Sequence, residues 1–274
     1  MNEPSVWDVE SVPGIEVSRE GLLLSVRISR PDKRNALDDV VIAGLIGLVE
    51  AAGNDETVRA ILLSADGEHF CAGADIVKRN SGDGRRPRVG AIQRRLPGQA
   101  HRLIPLILSV QTPVVCAVRG WAAGIGLALA LAADFTLAST TARFWAPFCD
   151  RGFTPDSGTT WMLPRRVGEV RARRMLLLGE RVDGEQAAEW GLVHGCVPDT
   201  ELDAAAVALA GQLATGATVA LGLTKSLLHT GRELGLADQL RQEAFAMELS
   251  SRSEDFREGL AAFQARRAAD FTGR

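Results

Sequence analysis

Two stretches of this 274-residue sequence share one order of parts: a short apolar run, then small residues, then a helical pattern. VRAILLS (58–64) leads into HFCAGADI (69–76), and PVVCAV (113–118) leads into GWAAGIGLALALAAD (120–134). A short apolar run bounded by polar residues is typical of a buried strand. We therefore predict two buried strands, each followed by a glycine-containing turn and a helix.

The turn after each predicted strand would expose backbone N–H groups at the start of a helix, where the partial positive charge favours an anion. Neither stretch contains GxGxxG, or GxxxxGK followed by Ser or Thr, so the motifs do not indicate a phosphate cradle. The two sets of N–H groups could instead converge on one oxygen that becomes negative during a reaction, forming an oxyanion hole. The alternative is that the small residues only allow close packing of helices.

The rest of the pattern predicts an α/β core with a helical tail. Residues 15–29 alternate around a turn at Glu20-Gly21 and indicate a β-hairpin. Between the hairpin and residue 139, helices are predicted over 37–53 and 126–133 and a further strand over 134–139. After residue 199 the pattern predicts amphipathic helices over 201–214, 217–230, 235–249 and 254–268, with no further strand. We divide the chain into a core of residues 1–198 and a helical region of residues 199–274, which extends the same domain.

Composition and charge exclude several classes of function. The 31 Lys and Arg residues nearly balance the 34 Asp and Glu residues, so no basic surface for bulk nucleic-acid binding is expected. The N-terminus lacks the basic and apolar regions of a signal peptide, and the most apolar stretch, 120–137, contains Asp134 and is expected to be buried in the core rather than in a membrane. The cysteines are isolated from one another, which fits reduced thiols: Cys71, Cys116, Cys149 and Cys196. We expect a cytoplasmic protein.

The segment 78–102 differs from its surroundings because it is rich in Gly, Arg and Pro. One interpretation is a solvated surface loop followed by the exposed start of a helix. The other is a segment that lies over a ligand. His101, near its end, has no acid or nucleophile partner that is evident from the sequence.

Six stretches occur in an order that resembles the enoyl-CoA hydratase/isomerase (crotonase) superfamily. They are RPDKRNAL (30–37), FCAGADI (70–76), the glycine-containing 120–134, PDSGTTWMLPRRVG (155–168), AAEWGLV (187–193) and FREGLAAFQARRAADF (256–271). The resemblance implies an α/β fold, a spiral of ββα units with C-terminal helices that mediate trimerisation, often as a dimer of trimers. It also implies an acyl-CoA substrate and an enolate held by the N–H groups of Ala74 and Ile125. It implies no metal, and no cofactor beyond the coenzyme A of the substrate.

The same resemblance implies acyl-CoA contacts for residues in several parts of the chain. Lys33, Arg34 and Ala36 would lie along the pantetheine and phosphates, Ala72, Asp75 and Ile76 would flank the thioester and adenine end, and Phe263 and Arg266 would reach the adenine from a neighbouring subunit. Trp121, Gly124 and Phe148 complete the predicted substrate-binding set. For Lys33 and Arg34 the alternative is that they are two solvated charges in the turn after Pro31.

The sequence departs from the family pattern at the acids of the hydratases. Hydratases of the superfamily hold and activate water with two glutamates. The resemblance places these two positions at Ala128 and Phe148 in this chain. Addition of water across a double bond needs a base for the water and an acid for the carbon. An ordinary hydratase mechanism is therefore not expected.

Asp156, in FTPDSGTTW (153–161), is the acid that remains. This chain resembles several family members that are not simple hydratases, because they also carry an aspartate at this position. A single carboxylate can move one proton between two carbons of a substrate, which is the chemistry of an isomerase. We therefore predict an enoyl-CoA isomerase with Asp156 as proton shuttle. Two alternatives remain open: a hydratase that uses Asp156 alone, and an acyl-CoA-binding protein without catalysis. We expect the carboxylate to be partly desolvated by four aromatic residues: Phe144, Trp145, Phe148 and Trp161. The alternative is that these aromatic residues, Trp161 in particular, belong to the ordinary core.

Overall fold

The computed structural model describes residues 12–75 and 88–274. A six-stranded sheet forms its centre, in the order β1-β2-β3-β4-β6-β9. These strands are β1 (Ile15–Glu20), β2 (Leu23–Ile28), β3 (Ala60–Ala65), β4 (Val114–Val118), β6 (Phe135–Ser139) and β9 (Gly195–Val197). β1 and β2 form the predicted antiparallel hairpin, and every later pairing in this sheet is parallel. A second sheet joins β5 (Trp121–Ala123), β7 (Arg143–Trp145) and β8 (Val182–Asp183).

Helices connect and cover the strands. In chain order they are α1 (Asp39–Asn54), α2 (Ala91–Arg95), α3 (Ala100–Ser109), α4 (Ile125–Ala132), α5 (Thr159–Leu177), α6 (Gly184–Glu189), α7 (Leu202–Ala214), α8 (Thr218–Thr230), α9 (Leu236–Ser250) and α10 (Glu254–Ala265). α1 begins where Asp38 accepts hydrogen bonds from the N–H groups of Val40 and Val41, a side-chain cap that satisfies two free donors. α5 bends at Gly168, whose φ of 77° and ψ of 164° interrupt the helix.

The core lies on both faces of the main sheet. One face carries α1, α3 and α4, and every residue of α4 is buried. α7 covers the other face, where Leu202, Ala206 and Ala210 pack against Leu62 and Val115. Parallel sheets need cover on both faces, and β4, buried along its whole length, shows the resulting apolar pattern. The first C-terminal helix is thus part of the sheet's packing.

The last three helices are attached to the core at a few polar points. On α8 the buried Lys225 Nζ lies 2.6 Å from Asp134 Oδ2 and donates to the Thr112 carbonyl. Burial lowers the pKa of Lys225, and the Asp134 carboxylate opposes that shift. At the C-terminus the Asp255 carboxylate of α10 accepts from the N–H groups of Thr272 and Gly273. The guanidinium of Arg59, beside β3, donates to the Phe271 carbonyl and joins this tail to the core. No residue of α9 is buried.

The predicted α/β core and C-terminal helical region are both present, and the predicted elements that fall on described residues agree with the observed ones to within about three residues. The helix predicted after residues 69–76 lies outside the described residues. The helix predicted over 254–268 ends at Ala265 because Arg266 adopts a left-handed φ of 53°. Among the described helices, none is by itself long and apolar enough to cross a membrane. The pair Asp199–Ala214 and Thr218–Thr230, bent by 105°, meets that length and composition only when counted together.

Candidate active site

The two glycine-containing segments lie against each other at one end of the sheets. The N–H of Cys71 donates to the carbonyl of Trp121, and the N–H of Ala123 donates to the carbonyl of Cys71. A Cβ atom on Gly126 would lie 2.5 Å from the Cys71 carbonyl oxygen, and one on Gly124 would lie 3.8 Å from the Gly73 Cα. At residue 126 only glycine allows this approach, whereas the second distance is an ordinary contact and Gly124 is favoured by its positive φ of 56°. The predicted small residues thus serve close packing at Gly126.

Hydrogen bonding fixes the direction of the Ala74 N–H. The carbonyl of Gly73 accepts from the N–H of Leu37 at 2.9 Å. In a trans peptide the carbonyl and the next N–H point in opposite directions, so the Ala74 N–H points away from Leu37. Burial raises the pKa of the Cys71 thiol to about 12, which keeps its proton available to the same Gly73 carbonyl. Within residues 12–75 and 88–274, no acceptor receives the Ala74 N–H.

The Ile125 N–H belongs to the first residue of α4. Gly124, with φ 56° and ψ −117°, turns the chain from β5 into the helix. Its N–H donates to the Trp145 carbonyl, and its own carbonyl accepts from Ala128. The first N–H groups of a helix have no partner within the helix and point out of its N-terminal end. In the described part of the chain the Ile125 N–H likewise has no acceptor, and the helix dipole favours a negative charge beside it.

Ala74 and Ile125, which carry these two N–H groups, both line one cavity of about 490 Å³. The wall also includes Asp156 and Ser157, which precede α5. Among the described residues that line the cavity, Asp156 carries the only carboxylate; Arg95, His101 and Arg151 supply basic groups. A cavity with two free N–H donors and one carboxylate can bind a carbonyl oxygen and exchange a proton beside it.

The Asp156 side chain is half-buried, and the turn around it is closely bonded. The Ser157 hydroxyl donates to Asp156 Oδ1 at 2.8 Å. The N–H and the hydroxyl of Thr159 both point to the Asp156 carbonyl, at 3.3 and 3.1 Å. Asp156 is therefore at once a turn residue and a carboxylate on the cavity wall.

Comparison with known proteins identifies the family. A family model described as enoyl-CoA hydratase/isomerase matches residues 18–274. The chain belongs to this family. It is 38% identical to the 1,2-epoxyphenylacetyl-CoA isomerase of Escherichia coli K12, over 92% of this chain and 95% of that protein. It is 32% identical to the 2,3-dehydroadipyl-CoA hydratase of the same organism, over 94% and 98%.

Solved structures agree with this assignment. An enoyl-CoA hydratase from Polaromonas sp. JS666 is similar with a TM-score of 0.87 and 31% identity, covering 94% of this chain and 99% of that one. An enoyl-CoA hydratase from Bacillus anthracis is similar with a TM-score of 0.89 and 27% identity, covering 95% and 100%. The fold is therefore the crotonase-type fold that the sequence predicts.

The two residues that the family resemblance places at the hydratase acids are apolar. Ala128 is fully buried in α4, one turn after the Ile125 N–H. Phe148 lines the cavity, with its Cζ 3.9 Å from the place of a Cβ on Gly124, and its ring meets Phe153 edge to face at 5.7 Å. The volume that a second acid would occupy at residue 148 is thus filled by a buried aromatic ring.

The expected aromatic lining of the cavity is wrong for three of its four residues. Phe144 is fully buried in the core, and Trp145 lies 5.7 Å from Trp121, outside the cavity lining. Successive residues of a strand point to opposite faces, and neither face of β7 meets the cavity. Trp161 lies under the guanidinium of Arg165, 4.1 Å from it. Phe148 does line the cavity, together with Phe153.

The coenzyme A contacts that the family resemblance implies for the first half of the chain lie in two places. Lys33 and Arg34 are exposed, and the Arg34 carbonyl accepts from the N–H of Ala72, which brings this turn, including Ala36, to the edge of the cavity segment. Ala72 lines the cavity. The Asp75 carboxylate lies 3.5 Å from Arg30, buried beside the start of α1. Ile76 lies outside the described residues.

The remaining predicted contacts are not brought to the cavity within one chain. Trp121 lies beside Trp145, with the Arg181 guanidinium 5.6 Å from its ring. Phe263 is 82% exposed on α10, and Arg266 is exposed where that helix ends. A role for Phe263 and Arg266 at a neighbouring subunit stays a prediction.

Residues from α2, from the turn that follows it and from the start of α3 line the cavity, although none of them was singled out individually from the sequence. They are Ile92, Arg95, Leu96, Gln99, Ala100 and His101. The described part of segment 78–102 is therefore not only a solvated loop but also covers the candidate site. The spacing of Ile92 and Leu96 by four residues, which places both on one helix face, could have indicated this cover.

Proposed function

We propose that this protein is an enoyl-CoA isomerase that moves a carbon–carbon double bond through an enolate, with Asp156 as the proton shuttle. The observation that carries the proposal is that a single carboxylate shares the described cavity wall with two free backbone N–H groups. The similarity to a relative named as an acyl-CoA isomerase supports it. Phe148 and Ala128, in the positions of the hydratase glutamates, support it further.

The chemistry requires one base and one site for negative charge. The thioester oxygen of a 3-enoyl-CoA accepts hydrogen bonds from the N–H groups of Ala74 and Ile125. Asp156 removes a proton from the α-carbon, and the resulting charge spreads onto that oxygen. The protonated Asp156 then returns the proton to the γ-carbon, and the double bond moves into conjugation with the thioester. Each N–H donor lowers the barrier by about 3 kcal/mol in comparable sites.

A second candidate is hydration of a 2-enoyl-CoA by Asp156 alone, which the similarity to a relative named as a hydratase favours. The conjugated enoyl thioester absorbs in the ultraviolet, so two incubations separate the reactions. Gain of this absorbance from a 3-enoyl-CoA supports isomerisation. Loss of it from a trans-2-enoyl-CoA supports hydration. Binding of both compounds without either change supports a protein that binds acyl-CoA without catalysis.

The role of Asp156 is tested by Asp156→Asn. We expect kcat to fall by about 100-fold to 10,000-fold, because the amide cannot accept a proton, with little change in acyl-CoA affinity. Asp150→Asn is the matched control, since Asp150 is an exposed acid on the preceding turn and does not line the cavity. Unchanged turnover in Asp156→Asn would show that another group carries the proton.

A further inference from the structure

Ser157 has a backbone conformation that serine disfavours. It is 2% exposed and has a φ of 55°, and the next residue, Gly158, has a φ of 77°. A residue with a Cβ atom is strained in this left-handed region, where glycine is the usual choice. Strain retained at a candidate site indicates that the side chain has a function there.

The side chain of Ser157 makes one polar contact in the described structure, and it is with Asp156. Its hydroxyl donates to Oδ1 at 2.8 Å. Within the described residues no other group donates to this carboxylate, so Oδ2 has no hydrogen-bond donor there, and Asp156 lines the cavity. The Thr159 hydroxyl and N–H donate to the Asp156 carbonyl and hold the backbone of Asp156 in place. The orientation of the carboxylate then depends on the side-chain torsions of Asp156.

We propose that Ser157 is a positioning residue whose hydroxyl holds Oδ1 of Asp156 and leaves Oδ2 as the oxygen that exchanges the proton. This inference rests on the proposed role of Asp156 as the shuttle. Proton transfer needs a donor and an acceptor held close to hydrogen-bonding distance, and a freely rotating carboxylate loses that geometry.

Two variants separate the hydroxyl from the backbone strain. Ser157→Ala removes the hydroxyl and keeps the Cβ atom, whereas Ser157→Gly removes both and suits the positive φ. We expect both variants to lose kcat by about 10-fold to 100-fold with KM within about twofold, because the substrate still binds while the carboxylate loses its orientation. Ser157→Gly should be the more stable of the two. Wild-type kcat in Ser157→Gly would show that the residue serves only the turn.

A double-mutant cycle shows whether Ser157 acts through Asp156. The reaction followed is the exchange of the α-protons of butanoyl-CoA with D₂O, measured by mass spectrometry, because this exchange needs only the base and the oxyanion hole. We expect Ser157→Gly to slow the exchange when it is introduced into the wild-type protein. When it is introduced into Asp156→Asn, we expect no further decrease in the exchange rate. An equal fold-loss in both backgrounds would overturn the inference.

A readout without turnover distinguishes failure of this inference from failure of the proposed function. In crystal structures without substrate, we expect the Asp156 carboxylate to occupy one rotamer in the wild type and more than one in Ser157→Ala and Ser157→Gly, because the hydroxyl that holds Oδ1 is gone. The same single rotamer in both variants would overturn the inference. Failure of the wild type to isomerise or to exchange protons, with the rotamers changed as expected, would overturn only the proposed function.

Discussion

Gly126→Ala tests whether close packing of the two glycine segments sets the candidate oxyanion hole. A Cβ atom at residue 126 would lie 2.5 Å from the Cys71 carbonyl oxygen and 2.7 Å from the Cys71 Cβ, whereas ordinary contact begins at 3.4 Å. The two segments would have to separate by about 0.9 Å, as the two distances imply. Ile125 is next to Gly126, and Ala74 is three residues after Cys71, so the separation moves the two N–H groups apart.

The size of the effect follows from this displacement. A misplacement of about 1 Å at a reacting centre costs about 100-fold in rate, and we expect a loss of that order in kcat. Alanine is favoured over glycine in a helix by about 1 kcal/mol, while overpacking costs about 1–3 kcal/mol. The net loss in the free energy of unfolding is about 0–2 kcal/mol, which leaves the protein folded.

The assay compares Gly126→Ala with Gly47→Ala. Gly47 lies in α1 with nothing within 4 Å of an added Cβ atom, so that variant should gain stability by about 1 kcal/mol with unchanged turnover. Isomerisation of a 3-enoyl-CoA gives kcat, and urea unfolding gives the free energy. If Gly126→Ala is folded and keeps kcat within about threefold of wild type, the rigid contact does not set the donor geometry.

Two further predictions concern stability and assembly. The His194 Nδ1 accepts from the Thr136 N–H at 3.0 Å, and burial followed by the nearby Arg166 lowers the pKa of His194. Because the unfolded state binds this proton more readily, the stability is fully present above about pH 6.5 and is lost as the pH falls below it. His194→Asn, which keeps an acceptor oxygen there, should flatten the fall of the urea midpoint between pH 7.5 and 5.5; equal falls would contradict this role. We also propose that α8–α10 pack against neighbouring copies, since Phe245 is 69% exposed on a helix without buried residues. Sedimentation should give a mass of three or six chains, reduced by Phe245→Asp, and a monomeric wild type would refute this assembly.

The sequence by itself determined the main strands and helices of the core, the C-terminal helices and the family. Apolar runs and helical spacing are local properties, so they located the hairpin, the buried strands and the C-terminal helices from neighbouring residues alone. The family resemblance is confirmed along nearly the whole chain. The short strands of the second sheet, such as β8 with two residues, give no comparable periodicity and were not predicted.

The sequence also singled out Asp156, because the positions of the two family glutamates hold apolar residues. It could not show the bond from the Ser157 hydroxyl to the carboxylate, since the same four letters PDSG also describe an ordinary surface turn. That bond depends on the left-handed backbone of Ser157, which is set by where the turn must enter α5.

Only the tertiary structure decided which side chains meet in the cavity. Phe144, Trp145 and Trp161 are as aromatic as Phe148 and close to it in sequence, yet they lie in the core or against arginines. Conversely, Ile92 and Leu96 come from a distant segment and cover the site. The reason is physical: periodicity specifies that a face is buried, but long-range packing of the sheet and helices specifies what that face is buried against.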